Sequence, residues 1–124
     1  MAKSLMVVDD SATMRKLILR AVQQAKLDLG QIEEAGSGSE ALEKLSNNTV
    51  DVMLCDVNME PMNGIELVKK IRENSLFSNI KIVMISTERS EDIVEDCKAG
   101  GAIGYIKKPF TPETIKTELS LLFN

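Results

Sequence analysis

Short apolar runs and longer periodic segments alternate along the chain. Leu5-Met6-Val7-Val8 is a continuous apolar run of strand length, of the kind buried on both faces of a sheet, and it stops at Asp9-Asp10. Ser11 stands where a helix N-cap is expected. Met14, Leu17, Ile18, Ala21, Val22 and Ala25 then recur at three- and four-residue steps, predicting a helix from about Ala12 to Lys26 with one apolar stripe. Gly30 is expected to break the pattern. Ile32 to Ala35 predicts a weak strand whose two glutamates suit a sheet edge. Gly36-Ser37-Gly38 turns into a short helix through Ala41, Leu42 and Leu45.

The second half repeats the alternation. Val52-Met53-Leu54-Cys55 reads as a doubly buried strand that ends at Asp56, and Asn58, Pro61, Asn63 and Gly64 then turn the chain. Ile65, Leu67, Val68 and Ile71 mark a helix ending near Asn74. Ile80 to Ile85, apolar apart from Lys81, predicts a fourth strand stopping at Ser86-Thr87. Ser90 opens a helix through Ile93, Val94 and Cys97, which Gly100-Gly101 terminates. Ile103 to Ile106 is a short fifth strand leaving through Lys107-Lys108-Pro109-Phe110. Thr111-Pro112-Glu113 starts the last helix with a capping hydroxyl, a proline and an acid, and Ile115, Leu119 and Leu122 supply its inner face. Five strands alternating with five helices predict an α/β fold: a doubly wound parallel sheet joined by right-handed crossovers.

Composition narrows the function classes. A chain of 124 residues, 44% apolar and 27% charged, is expected to form one domain over residues 1–124 with a core that needs no staples. Its net charge of −4 offers no basic face, so no nucleic-acid partner is expected. The absence of histidine excludes imidazole acid–base chemistry and the usual zinc sites. Cys55 and Cys97 make no C-x-x-C and read as reduced core residues. Four apolar residues before Asp9 are too few for a signal core or a membrane span, so a cytoplasmic monomer away from membranes is expected.

The polar residues at strand tails carry the chemistry. Parallel strands bring Asp9-Asp10, Asp56, Ser86-Thr87 and Lys108 to one sheet edge, where open α/β sheets bind ligands. Taken singly each has an ordinary explanation: a helix cap, a turn, a solvated lysine. Joint placement at strand ends is what distinguishes them. Asp10 and Asp56 close together would each disfavour the other's ionised form unless a cation intervened. With neither imidazole nor a thiolate cluster on offer, a hard divalent ion such as Mg²⁺ fits best. Acids for the metal, Lys108, the Ser86 hydroxyl and the Thr87 backbone N–H are what phosphoryl transfer requires.

Assembled in this way, the sequence resembles the receiver domains of two-component response regulators, particularly the single-domain, CheY-like regulators of chemotaxis. V-V-D-D-S at Val7 to Ser11, L-C-D-V-N-M at Leu54 to Met59, I-S-T at Ile85 to Thr87 and G-Y-I-K-K-P-F at Gly104 to Phe110 carry the resemblance, which spans essentially the whole chain. It implies the flavodoxin-like strand order 2-1-3-4-5. It also implies that Asp56 accepts a phosphoryl group from a sensor histidine kinase. Asp9 (through water), Asp10, Asp56 and the Asn58 carbonyl would hold Mg²⁺. Lys108 would contact the phosphorylated carboxylate, Ser86 would bond the phosphoryl group, and Tyr105 would swing inward as the second switch residue. A cis Lys108-Pro109 bond is implied too. Asn58 and Glu88 match residues that tune self-dephosphorylation. Glu60 departs from the pattern, since proline usually follows the methionine directly.

The resemblance implies a binding module rather than a turnover enzyme, with a flagellar motor switch protein or a phosphatase among its partners. Two rivals stand beside it. One is a phosphorelay intermediate passing phosphate to a histidine phosphotransfer protein. The other is a small Mg²⁺-dependent phosphatase with an aspartyl nucleophile, for which no segment is left to form a substrate cap. A calcium loop is excluded, because Pro61 stands where that loop needs glycine.

Overall fold

In the computed structural model, residues 2–123 are described; Met1 and Asn124, which the expected domain span includes, lie outside them. Five strands, β1 (Lys3–Val8), β2 (Leu29–Ala35), β3 (Val52–Asp56), β4 (Lys81–Ser86) and β5 (Gly104–Lys107), alternate with five helices. These are α1 (Ala12–Gln24), α2 (Gly38–Asn47), α3 (Gly64–Glu73), α4 (Glu91–Gly100) and α5 (Pro112–Phe123). All neighbouring strands pair parallel, in the order β2-β1-β3-β4-β5. The expected architecture and strand order are both present.

The strand alternation explains the layers. Successive side chains leave opposite faces of a strand. Met6, Val8, Met53, Cys55, Ile82 and Met84 accordingly pack on the side covered by α2, α3 and α4. Leu5, Val7, Leu54, Val83, Ile85 and Ile106 meet α1 and α5 on the other. Every residue of β3 is buried, as its unbroken apolar run requires. Both cysteines are buried and free.

Several boundaries differ from expectation. The helix α1 ends at Gln24 and not Lys26, because Ala25 caps it and Lys26 takes φ 56°, the left-handed region. The strand β2 begins at Leu29 and runs through Gly30, the residue expected to break the pattern. A Cβ at Gly30 would lie 3.3 Å from the carbonyl oxygens of Ala2 and Lys3, so glycine here permits close approach to the first strand. An unforeseen 3₁₀ turn, Ser75–Phe77, precedes β4.

The ends of α4 are held unequally. At its C-terminus Gly101 takes φ 121°, and the Arg72 guanidinium donates two hydrogen bonds, at 3.2 and 2.9 Å, to the Gly101 carbonyl. At its N-terminus Ser90 makes no side-chain cap bond.

Candidate functional site at the C-terminal sheet edge

The tails of β1, β3, β4 and β5 meet where β1 and β3 lie side by side and the chain leaves them for helices on opposite faces. Asp9, Asp10 and Asp56 each present a carboxylate oxygen there, all within 4.8 Å of one another. Asp9 and Asp56 are buried and Asp10 is exposed. Lys108, buried just past β5, places its Nζ 3.0 Å from Asp9 Oδ2 and 3.6 Å from Asp56 Oδ1. One ammonium facing three carboxylates leaves the cluster short of positive charge. The oxygen donors and their spacing fit a hard divalent cation.

Both oxygens of Asp9 are engaged: Oδ2 by Lys108, and Oδ1 by the Ser11 N–H at 2.9 Å. Asp9 therefore holds the lysine as well as facing the acid cluster. Burial pushes the Asp56 carboxyl above the usual range, and Asp9 pushes it further, while Lys108 acts in the opposite sense. The local backbone sets its position. A Cβ on Gly64 would fall 2.1 Å from the Asp56 carbonyl oxygen, so only glycine lets α3 begin directly against the end of β3.

Ser86 is fully buried at the end of β4. The Asn58 amide donates weakly to Ser86 Oγ at 3.5 Å and to Glu88 Oε1 at 3.4 Å. Thr87 lies exposed at the bend directly after β4. Tyr105 is half-buried on β5, and its hydroxyl donates to the Glu88 carbonyl at 2.7 Å. Glu60 is exposed and lines the same cleft as Asp10 and Asn58. The Lys108-Pro109 bond is cis, as the resemblance implies, and Glu60-Pro61 is cis as well.

The fold thus brings Asp9, Asp10, Asp56, Ser86, Thr87 and Lys108 to one edge with Asn58 and Glu88 beside them, while Tyr105 stands within β5 opposite Met84 and reaches that corner through its hydroxyl. Three supporting residues were missed. Arg15 donates to the Asp9 carbonyl at 2.6 Å and pairs with Glu34 at 3.1 Å. Arg89 donates to the Lys108 carbonyl at 2.9 Å. Gly64, which local pattern marks only as a turn residue, is the third. An arginine's target across the sheet leaves no local signature, whereas Asn63-Gly64 does, since Asn63 is the N-cap of α3.

An acid-lined switch point in a doubly wound sheet of flavodoxin-like order defines the class. Within it, the chain belongs to the response regulator receiver domain family, which matches residues 5–120, and it is a CheY-like receiver domain of the two-component type. It is 43% identical over 119 residues to the chemotaxis protein CheY1 of Helicobacter pylori, covering 95% of this chain and 94% of that one. The solved structure of chemotaxis response regulator CheY4 from Vibrio cholerae superposes with a TM-score of 0.87 at 36% identity, covering 98% of this chain and 99% of that one. A CheY from Borrelia burgdorferi, solved as a CheX–CheY–BeF₃–Mg²⁺ complex, matches with the same TM-score at 27% identity, covering 98% and 90%. No described helix is long and apolar enough to cross a membrane.

Proposed function

We propose that this receiver domain is a phosphorylation-controlled switch in which Asp56 is the acceptor. The observation that carries this reading is the position of the Lys108 ammonium, 3.0 Å from Asp9 and 3.6 Å from Asp56, which joins acids from two separate strands. An Asp56 oxygen attacks phosphorus of a phosphohistidine on a sensor kinase. The P–N bond breaks, its electron pair leaves with the imidazole nitrogen, and Asp56 becomes an acyl phosphate. Lys108 neutralises the charge that gathers on the phosphoryl oxygens, toward which the Ser86 hydroxyl and Thr87 N–H donate. Asp10, Asp56 and the Asn58 carbonyl would hold Mg²⁺, with Asp9 behind them. When bound, Mg²⁺ supplies positive charge against the phosphoryl oxygens.

The added charge draws Ser86 and Lys108 toward Asp56, and Tyr105 follows into the space beside Ser86. Partner binding then changes on the face of α4, β5 and α5 around Val94, Tyr105 and Lys107. The partners are a histidine kinase, a phosphatase and, by likeness to the chemotaxis relatives, a component of the flagellar motor switch. The chemistry is confined to the domain's own side chain, and no external phosphomonoester is turned over.

Incubation with phosphoramidate and Mg²⁺ should add one phosphoryl mass to the intact protein. Asp56→Asn should abolish the gain, and uptake by that variant to the same extent would reject Asp56. Capture with beryllofluoride present and absent should recover flagellar switch proteins only when it is present. A histidine phosphotransfer protein in their place would make the domain a phosphorelay intermediate.

A further inference from the structure

The end of β4 and the loop that follows it are both tied to Lys108, the residue just past β5. The Lys108 N–H donates to the Ser86 carbonyl at 2.8 Å, continuing the strand pairing. Its carbonyl is taken by the Arg89 guanidinium at 2.9 Å, three residues beyond Ser86 and in the loop after β4. One residue thus has both backbone polar groups fixed, its N–H by the last carbonyl of β4 and its carbonyl by an exposed side chain of the following loop. The ammonium of that residue stands between Asp9 and Asp56.

We propose that Arg89 is a positioning residue for phosphoryl transfer. Its guanidinium straps the segment carrying Ser86 and Thr87 to the segment carrying Lys108, so that hydroxyl, N–H and ammonium converge on Asp56 together. The inference rests on Asp56 being the acceptor. Arg89 touches neither the acid cluster nor the phosphoryl group. Its effect passes through the Lys108 backbone, and small misplacements of a charged donor cost large factors in rate. An arginine suits the task because it keeps its charge and offers several donors in a fixed plane.

The test is the rate of phosphoryl uptake by the full chain with Mg²⁺, followed by intact mass, from two donors: dianionic acetyl phosphate and the less charged phosphoramidate. Arg89→Ala should slow uptake about tenfold from both donors alike, at low and at high salt. Arg89→Lys, which keeps one donor, should recover part of the loss. The urea midpoint of each variant is measured alongside, and Arg89→Ala should leave it close to that of the parent, as expected for an exposed side chain. A slowdown confined to acetyl phosphate and removed by salt would mean that Arg89 attracts anions, which overturns positioning. Unchanged uptake would overturn it as well. Absence of uptake by the parent protein would instead bring down the Asp56 reading itself.

Discussion

The two corners that flank the acid cluster are held in different ways. Where β3 passes into α3, close backbone packing and a helix cap do the holding. The Gly64 N–H donates to the Val57 carbonyl at 2.8 Å. Asn63 and Glu66 close a capping box, and α3 begins directly against the carbonyl of Asp56. Where β4 passes into α4, Thr87, Arg89 and Ser90 are exposed and Ser90 makes no cap bond. Beyond Ser86, that corner is tethered to the fifth strand and the turn after it by two side chains, Tyr105 to the Glu88 carbonyl and Arg89 to the Lys108 carbonyl. As the acceptor proposed above, Asp56 needs a fixed position, and a corner that reports on it needs contacts that can be exchanged one at a time. The closely packed corner is the one that carries Asp56.

The sharpest way to break the contrast is Gly64→Val. A Cβ would meet the Asp56 carbonyl oxygen at 2.1 Å and Met84 Cε at 2.8 Å, and the first is backbone with no rotamer to yield. The loss in stability should be about 3 kcal/mol, read from urea unfolding. A loss below the usual scatter of surface substitutions would show that this corner is no more rigid than the other.

Asp56→Asn should have a smaller effect of opposite sign. Burial raises the Asp56 pKa in the folded protein, so ionising the side chain costs stability that the unfolded chain does not lose. Without divalent cations the asparagine variant should be more stable at neutral pH, by about 1 kcal/mol. This advantage is complete above the raised folded pKa. It should shrink as pH falls through that value and vanish below the ordinary carboxylate pKa of about 3.9. Thermal melts across that range check it, and a pH-independent difference would show that packing, not charge, is responsible. Tyr105→Phe should do least, removing one hydrogen bond from the looser corner at about 0.5–1 kcal/mol. An equally small effect from Gly64→Val would erase the distinction.

The layout of the sheet was legible because β1, β3 and β4 are buried runs long enough to be read without their partners, and because the reactive residues sit at their tails. The edge strand was less so. Its start at Leu29 depends on pairing with β1, which lets Gly30 serve in a strand where local pattern argues for a break. The helix α1 ends at Gln24, before the apolar stripe does, since Ala25 continues the stripe while already capping the helix. At the site, the acids, Ser86 and Lys108 could be named from the sequence. The residues that hold their backbones could not, because Arg15 and Arg89 act across the fold on carbonyls that carry no sequence signature.

The fastening of α4 by Arg72 at Gly101 sets the kind of displacement this helix can undergo. Ten residues at about 1.5 Å each make a lever roughly 15 Å long, with its fulcrum at the glycine end. A pull at residue 90 would then tilt the helix about that end and not slide it, and its outward rim would travel furthest beside the acid cluster and least at the glycine end.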